Sequence, residues 1–172
     1  MSCNPMINVD ILYNAPPSKY RVGSKQFSHS QKLRVCHEGV LTFDRGLKNL
    51  LACVKELRED VELVIVGDAF NAEKRWLSSY LDEHGLHDTV RVTGWLGYED
   101  VFEELKKCDV GLITFTENYN NRMAGPPNKL FNYMASGLPV ISVNYPELKF
   151  IVETAVNGYV ISSDQKELEA LL

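Results

Sequence analysis

Short apolar runs that alternate with stretches of helical periodicity constrain the fold of this chain more than any other feature. The runs cover residues 33–41, 61–67, 90–93, 109–115, 139–143 and 159–162. Helical patterns occupy residues 46–59, 71–84, 98–107, 128–136 and 146–155. The runs are rich in Val and Ile, as is typical of strands covered on both faces. Strand alternating with helix predicts an α/β fold with right-handed crossovers and a doubly wound parallel sheet.

Residues 1–30 differ from this regular pattern. Pro16-Pro17, followed by Ser, Lys, Gln and His, is typical of a linker that is mobile at least in part. Val9 to Tyr13 is apolar enough to predict a short strand. A chain of 172 residues, 45% apolar, is long enough to bury one α/β core, which we place in residues 31–172.

Charge and composition exclude several functions. The net charge of -5 argues against a basic face for nucleic acid. No apolar run reaches the roughly 18 residues of a membrane span, and no basic lead precedes the first apolar stretch as in a signal peptide. The cysteines form no C-x-x-C pair, so we expect neither a zinc site nor a disulfide framework; three of them lie in apolar stretches and are expected to be core thiols in a reducing cytosol. The four cysteines are Cys3, Cys36, Cys53 and Cys108.

Ligands of doubly wound sheets bind beyond the carboxyl ends of the strands, so the loops at that edge are the candidate site. In the first loop, Gly39 would allow a ligand to approach the backbone, and Arg45 stands near a helix N-terminus. That pairing suits a diphosphate, although an ordinary β–α turn with a solvated arginine explains it too. Gly67-Asp68 is most simply a turn with a helix cap. Gly94-Trp95-Leu96 is either a backbone-lined slot for a base or a packed turn.

The loop before the fourth helical stretch, residues 128–136, carries more information. Pro126-Pro127 ends a polar loop and begins a helix, and Gly137 ends it. Lys129 lies in the first turn, where acidic residues are preferred, so an anion is expected beside it. His37, on the first strand, is expected to be a core residue.

The stretch from Pro127 to Val140, with Asn120, Asn121 and Arg122 upstream, resembles family 4 glycosyltransferases of the GT-B fold. It is most similar to the surface-polysaccharide members with the motif P-N-K-L-F-E-Y-M-A-A-G-x-P-V. The resemblance extends over about residues 33–162 and includes the loop from Glu38 to Gly46. It implies that the chain is the Rossmann-like, donor-binding half of a GT-B enzyme, and that residues 1–30 are the end of a preceding domain and its linker.

The resemblance also implies roles for individual residues. Arg45 and Lys129 would neutralise the diphosphate, Gly39 would allow its close approach, and Asn132 would contact the ribose. The base would lie near Gly94, Trp95 and Leu96, while Glu117 and Asn118 stand where they could touch the sugar. Asn128 and Leu130, which flank Lys129 in the motif, complete the expected donor site.

Two departures from the family pattern concern this site. Many relatives carry glutamates at the positions of Ala124 and Asn132, and a second phosphate-binding arginine at Val40. An asparagine offers a ribose hydroxyl one acceptor and a donor instead of two anionic acceptors. If Asn132 faces the ribose, Asn132→Glu is expected to tighten nucleotide binding.

The resemblance implies a metal-independent, retaining sugar transfer in glycan or surface-polysaccharide synthesis, without a cofactor. The donor would be a UDP-, GDP- or ADP-sugar. The glycan or lipid-linked acceptor and the catalytic residues would belong to the N-terminal domain, which we expect outside this chain. The full-length enzyme would be cytoplasmic or peripheral at the membrane. Two alternatives stay open: half of a sugar-nucleotide epimerase, and a binding module without chemistry of its own.

Overall fold

The computed structural model describes residues 10–23, 32–123, 125–162 and 165–172. The strands are β1 Leu33–Glu38, β2 Val61–Val66, β3 Val90–Val92, β4 Val110–Ile113, β5 Val140–Val143 and β6 Gly158–Ile161. The α-helices are α1 Leu47–Glu56, α2 Asn71–His84, α3 Tyr98–Leu105, α4 Tyr119–Met123, α5 Asn128–Ala135, α6 Pro146–Ala155 and α7 Gln165–Leu171. Short 3-10 helices occupy Ser18–Tyr20 and Phe43–Arg45. None of the helices in the described ranges is long and apolar enough to cross a lipid bilayer.

The strands form one six-stranded sheet in the order β3-β2-β1-β4-β5-β6, and every pairing is parallel. This order confirms the predicted doubly wound sheet. The chain reverses its direction of winding between β1 and β4, and a crevice opens at the carboxyl ends of these two strands, where such folds bind ligands. The loops that follow β1 and β4 therefore border the crevice.

Both faces of the sheet are covered, which explains why the strands are continuously apolar. Because successive side chains of a strand point to opposite faces, Leu63 and Ile65 of β2 enter one core and Val64 and Val66 the other. Helices α1, α2 and α7 close the first core, and α3, α5 and α6 close the second. Cys36, Cys53 and Cys108 are buried free thiols, as predicted, and Cys3 lies outside the described residues.

Two close contacts fix the position of the crevice. Gly46 has a left-handed backbone (φ 80°), and a side chain there would collide with the carbonyl of Thr114, just beyond β4. Thr114 Oγ1 in turn donates a hydrogen bond of 3.0 Å to Arg45 O. Gly111 of β4 lies against the ring of Tyr133, which brings α5 close to the sheet. The loop after β1 thus contacts the end of β4, and α5 packs closely against β4.

The segment before the sheet differs from its prediction. Residues 10–13 contain no strand, so the predicted strand is wrong over its described part, while Val9 lies outside the described residues. Tyr20 is buried instead and stacks on Phe102 of α3, with ring centroids 4.2 Å apart. Val22 N donates to Ala135 O at 2.9 Å. The segment therefore contacts α3 through Tyr20 and α5 through the backbone of Val22, while Leu12 stays exposed.

Candidate functional site

Two cationic side chains meet at one aromatic ring in the crevice between β1 and β4. The Arg45 guanidinium carbon lies 4.6 Å from the centroid of Phe115, and Lys129 Nζ lies 6.0 Å from the same centroid. Arg45 comes from the loop after β1, Phe115 from the loop after β4, and Lys129 from the first turn of α5. The fold therefore brings together the two cations that the sequence separates widely.

Lys129 is buried, with only 6% of its surface exposed, and donates to His37 Nε2 at 3.0 Å. His37 is fully buried at the end of β1. Burial first, and the Lys129 charge second, hold the pKa of His37 well below its usual value, so the ring is neutral and Nε2 accepts the bond. His37 is a core residue, as predicted, but it also positions the lysine, which the sequence did not indicate.

The charge on Lys129 is poorly stabilised in the absence of an anion. Burial, and then repulsion from Arg45, lower the pKa of Lys129 to about 7, and the attraction of Glu38 and Cys36 offsets only part of this effect. A perturbed lysine in a crevice is typical of a binding or catalytic site. An anionic ligand would relieve both the burial cost and the repulsion between the two cations.

Glu38, the last residue of β1, lies next to this cluster, and the sequence analysis did not assign it to the site. Its Oε1 atom accepts a hydrogen bond of 2.9 Å from Asn132 Nδ2. Its backbone N–H donates to the hydroxyl of Tyr133 at 2.7 Å. Burial raises the pKa of the Glu38 carboxyl, which Asn132 and Lys129 partly oppose. An ionisable residue at the end of an apolar strand was the only signal in the sequence that pointed to it.

Two exposed aromatic rings stack on each other at the same edge of the sheet, beyond β2 and β3. Phe70 and Trp95 are 50% and 54% exposed, their centroids are 5.1 Å apart and their planes make an angle of 24°. Gly94 has a left-handed backbone (φ 71°) and open space around it. The loop Gly94-Trp95-Leu96, which the sequence suggested as a slot for a base, thus presents a flat apolar surface. Phe70, which was not predicted to belong to the site, forms part of this surface.

The remaining predicted site residues lie at different depths. Leu130 is fully buried in the core, and its N–H donates to Pro127 O. Leu96 is partly buried and packs against the core. Asn128 is exposed, and its Oδ1 accepts a bond from Asn14 Nδ2 at 3.0 Å.

Glu117 and Asn118 follow β4 on the far side of the crevice. Glu117 is exposed and pairs with Arg122 at 3.3 Å. It borders an open cavity of about 360 Å³ that Tyr145 and Lys149 also line. Asn118 Oδ1 accepts the N–H of Asn121 at 2.8 Å. Arg45 and Lys129 are not among the residues that line this cavity, so the pair of cations lies elsewhere on the edge of the sheet.

Within the described ranges, no group of three His, Cys, Asp or Glu side chains is arranged to hold a metal ion. Three charged groups lie together in the described part of the crevice, Arg45, Lys129 and Glu38, and neutral His37 contacts Lys129. This set can bind an oxyanion through two cations and a hydroxyl group through one carboxylate.

Comparison with known proteins identifies the family. The model of the family of glycosyl transferases group 1 matches residues 33–172, which is most of the chain. The chain belongs to this family. The match confirms the resemblance seen in the motif from Pro127 to Val140.

Curated relatives of the chain are named as glycosyltransferases. The amylovoran biosynthesis glycosyltransferase AmsK of Erwinia amylovora is 26% identical over 160 residues, which cover 91% of this chain and 39% of AmsK. The chitobiosyldiphosphodolichol beta-mannosyltransferase of Kluyveromyces lactis is 39% identical over 79 residues, 45% of this chain and 17% of that enzyme. The chain therefore spans less than half the length of these relatives.

Solved structures show the same fold. HepE of Anabaena in complex with UDP superimposes with a TM-score of 0.75 at 21% identity, over 94% of this chain and 46% of HepE. The C-terminal domain of a group 1 glycosyl transferase (LpcC) from Francisella tularensis gives a TM-score of 0.67 at 15% identity, over 82% of this chain and 73% of that domain. The sheet described above is thus the C-terminal, Rossmann-like half of a GT-B fold.

Proposed function

We propose that this domain binds the nucleoside diphosphate of a nucleotide-sugar donor, with the diphosphate at Arg45 and Lys129. The proposal rests on one observation: two cations converge on Phe115, and one of them, Lys129, is buried and has a lowered pKa. A buried cation beside another cation is costly unless an anion joins them. The complexes of HepE with UDP and UDP-glucose support a nucleotide ligand of this kind.

The same cations suit a sugar transfer that needs no metal. In such a transfer the bond between the sugar anomeric carbon and the diphosphate oxygen breaks, and the acceptor oxygen forms the new bond while it loses its proton. The nucleoside diphosphate leaves with additional negative charge, which fixed cations in a crevice stabilise as it develops. Retention of the anomeric configuration follows from the resemblance to family 4 enzymes, and the proton-accepting group would belong to the N-terminal domain.

The acceptor in this proposal is a growing glycan or a lipid-linked sugar. AmsK and the Kluyveromyces lactis mannosyltransferase, whose names refer to polysaccharide and lipid-linked substrates, support this class. Since the catalytic groups would face the donor from the N-terminal domain, residues 1–172 alone should bind the donor without transferring its sugar.

A thermal-shift panel tests the proposal directly. UDP, GDP and ADP, each in EDTA, are added to the chain, and at least one should raise the melting temperature, since a ligand of the native state stabilises it by mass action. Lys129→Ala should abolish the shift. Lys106→Ala is the matched control and should keep it; this change removes a half-buried lysine at the end of α3 that pairs with Glu103. A shift that requires Mg²⁺ or Mn²⁺ would contradict the metal-free mechanism, and no shift with any nucleotide would contradict donor binding.

A further inference from the structure

The carboxyl group of Glu38 is held in place on one side only. Its backbone is fixed by the hydroxyl of Tyr133, and Oε1 is fixed by Asn132 Nδ2 at 2.9 Å. The second oxygen, Oε2, is shielded from solvent and has no hydrogen-bond partner among the described residues. Burial of a carboxylate oxygen without a hydrogen-bond partner is costly, so the presence of Glu38 at the end of β1 calls for an explanation.

The order of the strands places Glu38 between the two candidate subsites. The stacked pair Phe70 and Trp95 follows β2 and β3, Glu38 ends β1, and Arg45 and Lys129 lie at the crevice between β1 and β4. A nucleoside diphosphate that lies along this edge, with its base at the aromatic pair and its phosphates at the cations, would bring its ribose to Glu38.

We infer that Glu38 accepts a hydrogen bond from a ribose hydroxyl of the nucleotide and that Asn132 holds the Glu38 carboxyl in position. The inference rests on the proposed donor site and adds a specificity-determining residue to it. In this arrangement the carboxylate comes from β1, and the amide of α5 orients it. The two side chains together supply what one acidic residue on α5 would otherwise supply.

The inference reverses the effect expected of Asn132→Glu from the sequence. A carboxyl at this position would face Glu38 at hydrogen-bonding distance, and two carboxylates that share a site cannot both stay ionised without cost. Asn132→Glu should therefore weaken nucleotide binding. Combining it with Glu38→Gln should restore binding, because the carboxyl and the amide then exchange places.

Ribose recognition can be separated from diphosphate recognition by the choice of ligand. The probes are UDP, GDP and ADP, their 2′-deoxy and 3′-deoxy forms, and inorganic pyrophosphate, each titrated calorimetrically at pH 6.5. Wild type should bind at least one nucleotide about tenfold more tightly than one of its deoxy forms, as expected for a charge-assisted hydrogen bond. Glu38→Gln should lose that preference. Its affinity for pyrophosphate should change little, because loss of the Glu38 charge removes a repulsion of the anion but also an attraction that keeps Lys129 charged.

The swap variant provides the control for folding. Glu38→Gln/Asn132→Glu should recover nucleotide affinity to within about threefold of wild type, whereas each single variant stays about tenfold weaker. If Glu38→Gln keeps the preference for the hydroxylated nucleotide, the inference is wrong while the donor site stands. If wild type binds none of the nucleotides, the proposed function fails and this inference with it.

Discussion

The lowered pKa of Lys129 makes nucleotide affinity depend on pH in a direction that can be calculated. With a pKa of about 7, the buried lysine of the free protein is about half charged at neutral pH. A bound diphosphate favours the charged form, so above pH 7 the lysine must take up a proton when the ligand binds. Affinity should therefore fall as the pH rises.

The magnitude follows from the fraction of charged lysine. Between pH 7 and pH 9 that fraction falls from about one half to about one hundredth. If only the charged form binds, affinity falls about fiftyfold, or ~2.3 kcal/mol. The terminal phosphate of UDP, with a second pKa of about 6, is already ionised across this window and contributes little.

The assay is calorimetric titration of UDP, GDP and ADP at half-unit steps from pH 7 to pH 9, with wild type and two variants. Lys129→Arg keeps its charge throughout and should give a nearly flat profile. Lys129→Met should bind weakly at every pH, also with a flat profile. A wild-type slope no steeper than that of Lys129→Met would refute the reasoning.

The same pKa has an opposite consequence for stability. An unfolded lysine keeps its proton up to a pKa near 10.5, whereas Lys129 in the fold loses it at about 7. The unfolded state thus binds more protons between these values, and the contribution of Lys129 to stability rises with pH across that window. Denaturant unfolding of the free protein should show this rise, and Lys129→Met should lack it.

Further predictions concern the neighbouring residues. Arg45→Ala should weaken both nucleotide and pyrophosphate binding by about 1.5–3 kcal/mol in calorimetry; unchanged binding would place the diphosphate elsewhere. Trp95→Ala should lower nucleotide affinity by about 1–3 kcal/mol, as for loss of a stacking ring, yet leave pyrophosphate affinity unchanged; equal losses for both ligands would contradict a base subsite. Gly46→Ala should lower the free energy of unfolding in urea by more than about 2 kcal/mol, since a side chain collides with the Thr114 carbonyl; a neutral result would mean that the loop can move away from β4.

The sequence alone determined the fold class, and for a physical reason. Strands buried on both faces must be apolar throughout, and crossover helices must carry an apolar stripe at helical spacing. Each element can therefore be identified from its own residues, without knowledge of the contacts it makes. The helices 71–84 and 146–155 were predicted with the bounds that the structure shows. The strand predicted over Val9 to Tyr13 is absent from residues 10–13, its described part, because a brief apolar run does not form a strand without a partner.

The sequence also indicated the cations of the site, since Lys129 breaks the preference for acids in a first helical turn and Arg45 stands near a helix N-terminus in the loop that contains Gly39. It could not indicate what those cations contact. His37 lies 92 positions from Lys129 and Glu38 lies 94 from Asn132, and each pair meets only because the sheet places β1 against α5. Burial, which shifts the pKa of Lys129, and the pairing of Glu38 with Asn132 are properties of the packed chain. Only the tertiary structure decided them.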